Sequence, residues 1–172
     1  MELNTFLYFA YGSNLLTKRI HINNPSAVRK GIGKLKGYRL DFGDWSDHWK
    51  GSVATIVPDQ STYVWGAIWE MNMQDMPNLD RQEGVGNKQY KVVTVNVITP
   101  ENYSAICRCY QLCQQPFKIQ DSEVLPENRK PSLLYMTVII NGAKESCLPE
   151  SYINDLKKIQ HNGWTDTEKN II

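Results

Sequence analysis

Apolar and aromatic side chains crowd residues 3–10, where Phe6, Leu7, Tyr8, Phe9 and Ala10 follow one another, and the run predicts a buried first strand. It breaks at Tyr11, Gly12, Ser13 and Asn14. Leu15, Leu16 and Ile20 then predict a short helix over residues 15–21, which Pro25 cannot extend. Residues 34–42 alternate apolar and polar positions and predict a half-buried strand. Residues 43–51 read as a polar loop carrying Trp45 and Trp49. Residues 52–57 return to strand, closed by Pro58, and residues 63–71 form a long aromatic strand. Gly66 lies in its middle, a position where another backbone or a ligand can come close. Asp75 can cap a helix running to about Glu83, with Pro77 in its first turn and Gly84 at its C-terminal end.

The β-branched run of residues 90–98 predicts another strand, joined as a hairpin to residues 103–112 through Pro100, Glu101 and Asn102. Residues 114–130 are polar and read as a long loop. Residues 132–140 are ambiguous: Pro131 and Ser132 look like a helix start, whereas Thr137, Val138, Ile139 and Ile140 favour strand. Residues 149–159 form an amphipathic helix with Tyr152, Ile153, Leu156 and Ile159 on one side. The pattern amounts to about six strands and three or four helices without regular strand–helix alternation. That points to an α+β fold, a small mixed barrel or curled sheet with helices packed outside, rather than a doubly wound sheet. Residues 1–162 read as a single domain and residues 163–172 as a flexible polar tail.

Composition narrows the function. The chain has 172 residues, 41% of them apolar and 22% charged, with a net charge of +1. That balance offers no broad electrostatic reason to bind nucleic acid or membrane, so a small molecule held in a pocket is the expected partner. The first residues lack a basic region ahead of an apolar stretch, and no run spans a bilayer; the reading is cytoplasmic. Cys107, Cys109, Cys113 and Cys147 lack metal-ligand spacing, as do His21, His48 and His161, so neither a metal site nor a cofactor is signalled.

Two segments carry candidate chemistry. Gly12 permits a tight turn or a close ligand approach, and Ser13 and Asn14 are good helix-starting residues. Free amides at that helix start would attract an anion, although a plain strand–loop–helix connection has the same pattern. The second is Leu79-Asp80-Arg81-Gln82-Glu83-Gly84-Val85. Glu83 stands at a helix C-terminus, the negative end of the dipole, where a carboxylate is poorly placed. Partial burial there would raise its pKa and make it a stronger base; an exposed glutamate at a frayed end is the plain alternative. Asp80, three residues earlier, reads as a solvated charge or the partner of a nearby cation. One carboxylate and a donor-rich loop suffice for an intramolecular reaction, in which the substrate supplies both nucleophile and electrophile.

Tyr11-Gly12-Ser13-Asn14 after Phe6-Leu7-Tyr8-Phe9-Ala10, and Leu79-Asp80-x-Gln82-Glu83-Gly84-Val85, resemble the γ-glutamylcyclotransferases. Val64-Trp65-Gly66-x-x-Trp69 agrees, as does Gly142-Ala143-Lys144-Glu145 followed by Leu148-Pro149-Glu150-x-Tyr152. The resemblance covers about residues 5–160, with the four segments in family order. It implies a small mixed β-barrel with flanking helices, and cleavage of γ-glutamyl-amino acids to 5-oxoproline and a free amino acid. The family's catalytic acid/base falls on Glu83, its substrate-binding loop on Tyr8, Phe9, Ala10, Tyr11, Gly12, Ser13 and Asn14, and a binding-site tyrosine on Tyr135. The last placement argues that the stretch after Pro131 is helical. Family members are often dimers, which makes a homodimer plausible.

Tyr11-Gly12-Ser13-Asn14 departs from the Tyr-Gly-Ser-Leu form of the glutathione-specific relatives and the Tyr-Gly-Thr-Leu form of the γ-glutamylamine relatives. This favours γ-glutamyl-amino acids as substrates. Two alternatives stay open at this point: a non-catalytic sensor of γ-glutamyl or acidic ligands, and a cyclotransferase for another γ-glutamyl conjugate.

Overall fold

A computed structural model of the chain describes residues 4–166. Five strands close into a barrel: β1 (Thr5–Ala10), β2 (Val28–Ser46), β3 (Gly51–Asn72), β4 (Tyr90–Ile98) and β5 (Ser104–Leu112), in the spatial order β1-β3-β2-β4-β5. All neighbours are antiparallel except β1 and β5, whose parallel contact at Tyr8 and Arg108 closes the barrel and makes it mixed. The flanking helices are α1 (Thr17–His21), α2 (Met76–Gln82), α3 (Leu133–Glu145) and α4 (Glu150–Lys157). The expected barrel with outer helices is therefore present. Among the described residues, no helix is long and apolar enough to cross a membrane.

The strand count differs from the sequence reading because residues 52–57 and 63–71 belong to one strand, β3. Its ladder with β2 passes from Tyr38↔Pro58 to Lys36↔Tyr63, so the interruption spans residues 59–62, directly after Pro58 and opposite Gly37. Proline cannot donate to a ladder, and the irregularity there absorbs the missing bond without ending the strand. The expected loop over residues 43–51 is a short turn instead: β2 runs on to Ser46, and Lys50 N donates to Ser46 O at 2.7 Å.

The barrel core is built from alternate strand residues, with Phe9, Ile56, Val64, Trp69, Met71, Val97 and Leu112 almost wholly removed from water. Gly66 is the expected close approach: a Cβ there would lie 2.4 Å from Ala10 O and 2.7 Å from the Phe9 ring. No larger residue lets β3 lie against the end of β1. Helix α3 starts where Ser132 Oγ accepts from Tyr135 N at 3.1 Å, resolving the ambiguous segment as helix. It buries Tyr135, Met136, Ile139 and Ala143.

Two capping expectations fail. A 3-10 turn (Ser13–Leu15) precedes α1, and Leu16 is extended between them, so the helix begins two residues later than its apolar pattern indicated. Neither Ser13 nor Asn14 caps with its side chain, because Asn14 turns inward. Asp75 gives no cap bond either; its carboxylate takes the Ser26 hydroxyl instead. Of the expected tail, residues 167–172 lie outside the described residues, and Trp164 O accepts from Leu134 N at 3.1 Å.

Candidate active site

The site forms where β1 ends. β1 carries Tyr8 to the barrel mouth, and Tyr11 to Asn14 fold over it as a tight turn closed by Leu15 N donating to Gly12 O at 3.1 Å. Helix α2 crosses the same mouth, anchored by the fully buried Leu79. Gly84 follows it at φ +64, the left-handed conformation that glycine adopts without strain and that ends helices. The residue before it, Glu83, is fixed as the C-cap, its N–H donating to Leu79 O at 3.0 Å. Glycine thus stops the helix with the Glu83 side chain turned to the mouth.

A small pocket results. Tyr8, Tyr11, Gly12, Ser13 and Asn14 line one side; Glu83, Ala54, Tyr90, Tyr110 and Tyr135 complete it. Seven of the nine site residues expected from sequence meet here. Phe9 and Ala10 do not: they are 0% and 1% exposed and belong to the barrel core beneath Gly66. Strand alternation explains Phe9, which faces away from its neighbour Tyr8.

The hydroxyls sort into two kinds. Tyr11 Oη donates to Tyr110 O at 2.5 Å and Tyr90 Oη to Ala54 O at 2.6 Å, so both protons are committed to backbone. Tyr135 Oη instead accepts from Ala54 N at 3.0 Å, and Tyr8 Oη accepts from Asn14 Nδ2 at 3.1 Å. Their own protons have no acceptor among the described residues and remain available to a ligand. The amides of Gly12, Ser13 and Asn14 likewise meet no protein acceptor among the described residues. Burial raises the pKa of Tyr8 and Tyr135 well above the ordinary phenol value, with the Glu83 charge acting in the same direction, so both stay protonated donors.

Glu83 is the carboxylate of this pocket. Its pKa is pushed up to about 7, chiefly by burial; the Asp80 charge adds to the rise, while the Arg19 cation opposes it. Asn14 Nδ2 reaches Glu83 Oε1 at 3.4 Å. Asp80 is not simply solvated. Arg108 Nη2 donates to both its oxygens at 2.8 Å, and Tyr110 Oη donates to Oδ1 at 2.5 Å. Helix α2 is tied to β5 by this group, one turn before Glu83.

Sequence reading missed Tyr90, Tyr110 and Ala54, which it placed only within strands. The signal was there for the two tyrosines: each places a hydroxyl at a buried strand position, and a buried hydroxyl needs a partner or a task. Among the described residues no group of histidine, cysteine or carboxylate side chains is arranged to hold a metal, and the four cysteines are free thiols.

Comparison with known proteins agrees with this geometry. Residues 63–156, which include Glu83 and Tyr135, match the model of the AIG2-like family. A γ-glutamylcyclotransferase of Mus musculus is 42% identical over 95% of this chain and 83% of its own length. Its counterpart in Homo sapiens is 41% identical over 94% of this chain and 82% of its own length. A solved structure of a γ-glutamyl cyclotransferase superposes with a TM-score of 0.84 at 39% identity, covering 96% of this chain and 94% of the other. Sequence motifs, barrel topology and whole-chain similarity converge, and the chain belongs to the AIG2-like family and, within it, to the γ-glutamylcyclotransferases.

Proposed function

We propose that this chain converts γ-glutamyl-amino acids to 5-oxoproline and a free amino acid, with Glu83 as the general acid/base. A carboxyl with a pKa of about 7 can take a proton near neutrality and return it, which one near 4 does poorly. The reaction begins when Glu83 removes a proton from the α-ammonium group of the γ-glutamyl moiety. The freed amine attacks the γ-carbonyl carbon, forming the ring C–N bond and an oxyanion. Collapse of the oxyanion breaks the original amide C–N bond. Of the three ammonium protons, one stays on the lactam nitrogen, one reaches the leaving nitrogen through Glu83, and one passes to the released amine or solvent.

Holding the reacting groups in one folded substrate supplies most of the acceleration, since effective molarities of about 10⁵–10⁸ M are available to well-oriented intramolecular attack. The amides of Gly12 to Asn14 and the free protons of Tyr8 and Tyr135 serve as donors to the oxyanion and the substrate α-carboxylate. The reading carries with it a cytoplasmic enzyme, in keeping with four free cysteines, and the homodimer that the resemblance implies.

The observation that carries this reading is the raised pKa of Glu83 inside a pocket that also presents free donors, the amides of Gly12 to Asn14 and the hydroxyls of Tyr8 and Tyr135. Incubation of the purified protein with γ-glutamyl-alanine, followed by mass spectrometry, tests it. Equal amounts of 5-oxoproline and alanine are expected. Binding of the dipeptide without product would support a sensor instead.

A further inference from the structure

Arg19 acts on Glu83 by its charge alone, with no ion pair between them. It lies on α1, directly after the turn that forms the pocket wall, and its guanidinium stacks over the Trp49 ring at 5.0 Å. Trp49 in turn lies against the Tyr135 ring at 4.8 Å. The three side chains form a column that starts at the pocket-lining Tyr135 and ends at Arg19. Among the described residues no carboxylate pairs with Arg19, and its buried Nε has no hydrogen-bond partner. The other arginines near the barrel mouth are engaged: Arg29 with Glu145 and the Leu15 carbonyl, Arg108 with Asp80. A planar cation fixed on an aromatic face, with no carboxylate in direct contact, is preorganised for one.

A γ-glutamyl-amino acid brings two carboxylates, one on each side of the bond to be broken. The inner one has donors in the pocket already, in the amides of Gly12 to Asn14 and the hydroxyls of Tyr8 and Tyr135. The outer one, on the departing amino acid, lies across the scissile bond from the inner one and needs a donor of its own. Resting on the cyclotransferase reading, we propose that Arg19, held by Trp49, binds the free carboxylate of the departing amino acid and so selects γ-glutamyl-amino acids over γ-glutamyl amines and amides. Arg19 then does more than balance Glu83: it fixes the leaving half of the substrate.

The test compares γ-glutamyl-alanine with γ-glutamyl-alaninamide, which differ only in that carboxylate, using wild type, Arg19→Met and Arg19→Lys. Wild type should favour the acid in kcat/KM by roughly 10- to 100-fold, the usual range for one charge-assisted contact. Arg19→Met keeps an unbranched chain over Trp49 and should bring the two substrates nearly level. Arg19→Lys should keep part of the preference, since the charge stays while the planar fork is lost. Arg19 also lowers the pKa of Glu83, but that effect bears on both substrates alike and cancels in their ratio. Melting temperatures of the three proteins show whether each folds. A wild type indifferent to the carboxylate, or an Arg19→Met protein that loses activity on both substrates while keeping its preference, would overturn the assignment. If wild type turned over neither compound, the cyclotransferase reading itself would fall, and the role of Arg19 with it.

Discussion

Asn14 donates its side-chain amide to Glu83 at 3.4 Å, joining residues that lie 69 positions apart. The same nitrogen reaches Tyr8 Oη at 3.1 Å, Oδ1 accepts from Gln82 Nε2 at 3.1 Å, and the Asn14 carbonyl accepts from Trp69 Nε1 at 3.0 Å. One buried residue, through its side-chain amide and its carbonyl, therefore couples β1, β3 and α2 at the pocket. Asn14→Ala removes the three side-chain links and leaves polar groups unpaired beside the pocket. A cost of about 1–3 kcal/mol is expected, lowering the melting temperature by several degrees. Turnover of γ-glutamyl-alanine should fall by about tenfold or more, through loss of Glu83 orientation. Calorimetry and 5-oxoproline release measure the two effects separately.

The raised pKa of Glu83 has a stability consequence. Its folded-state value of about 7 exceeds the ordinary 4.5, so between those pH values the folded chain binds more protons at this site than the unfolded chain. Stability from this group is therefore fully present below about pH 4.5 and declines as pH rises through about 7. Glu83→Gln removes the buried charge. At pH 8 the variant should be more stable than wild type, by on the order of 1–3 kcal/mol. The advantage should shrink as pH falls and vanish below about pH 4.5, where Glu83 is protonated in the folded and the unfolded chain alike. Thermal melts across that range decide it; a variant less stable at pH 8 would mean that the carboxylate is held by attractions exceeding its burial cost.

Asp80 tunes the same group from one helical turn away. Its charge raises the pKa of Glu83, and its pairing also engages Arg108. Asp80→Asn removes a negative charge and exposes a positive one, and both changes lower the Glu83 pKa. The acid limb of the kcat/KM profile should move to lower pH than the wild-type limb near 7. An unmoved limb would mean that a group other than Glu83 titrates there.

Tyr135→Phe separates binding from proton transfer. The variant loses a pocket donor and leaves Ala54 N without its acceptor. The loss should cost about 1–3 kcal/mol in kcat/KM. It should remain smaller than the loss in Glu83→Gln, because the elevated pKa of the tyrosine keeps its proton in place. Equal inactivity of the two variants would make Tyr135 a proton carrier.

Residue pattern alone made several of these features visible. The strand before Tyr11, the glycine after Glu83 and the helix dipole pointed to the loop and to the carboxylate as odd features, and the segment motifs joined them. Pro58 misled, because a proline that ends a strand and one accommodated at a ladder irregularity look alike until the partner strand is known. Ser13 and Asn14 misled in the same way: a capping residue is recognised by type, but Asn14 spends its amide on Tyr8 and Glu83, contacts that exist only once β1 and α2 share the barrel mouth. Phe9 and Ala10 entered the candidate site with the substrate-binding loop that the resemblance lays over Tyr8 to Asn14, and the pleat turned Phe9 away. Tyr90 and Tyr110 come from strands far along the chain, and only closure of the barrel brings their rings to the pocket. The stacked column of Arg19, Trp49 and Tyr135 draws on three separate segments and left no trace in local pattern.

Glu83 carries the central claim, and Glu83→Gln tests it most directly because it preserves shape while removing the base. The measurement is the rate of 5-oxoproline release from γ-glutamyl-alanine, taken alongside calorimetric binding of the dipeptide to both proteins. A folded variant should bind the substrate, since the donors of Gly12 to Asn14, Tyr8 and Tyr135 are untouched, and its turnover should fall by at least the roughly 10²–10⁴-fold of a lost general base. A well-folded Glu83→Gln protein that releases 5-oxoproline at a near-normal rate would contradict the account.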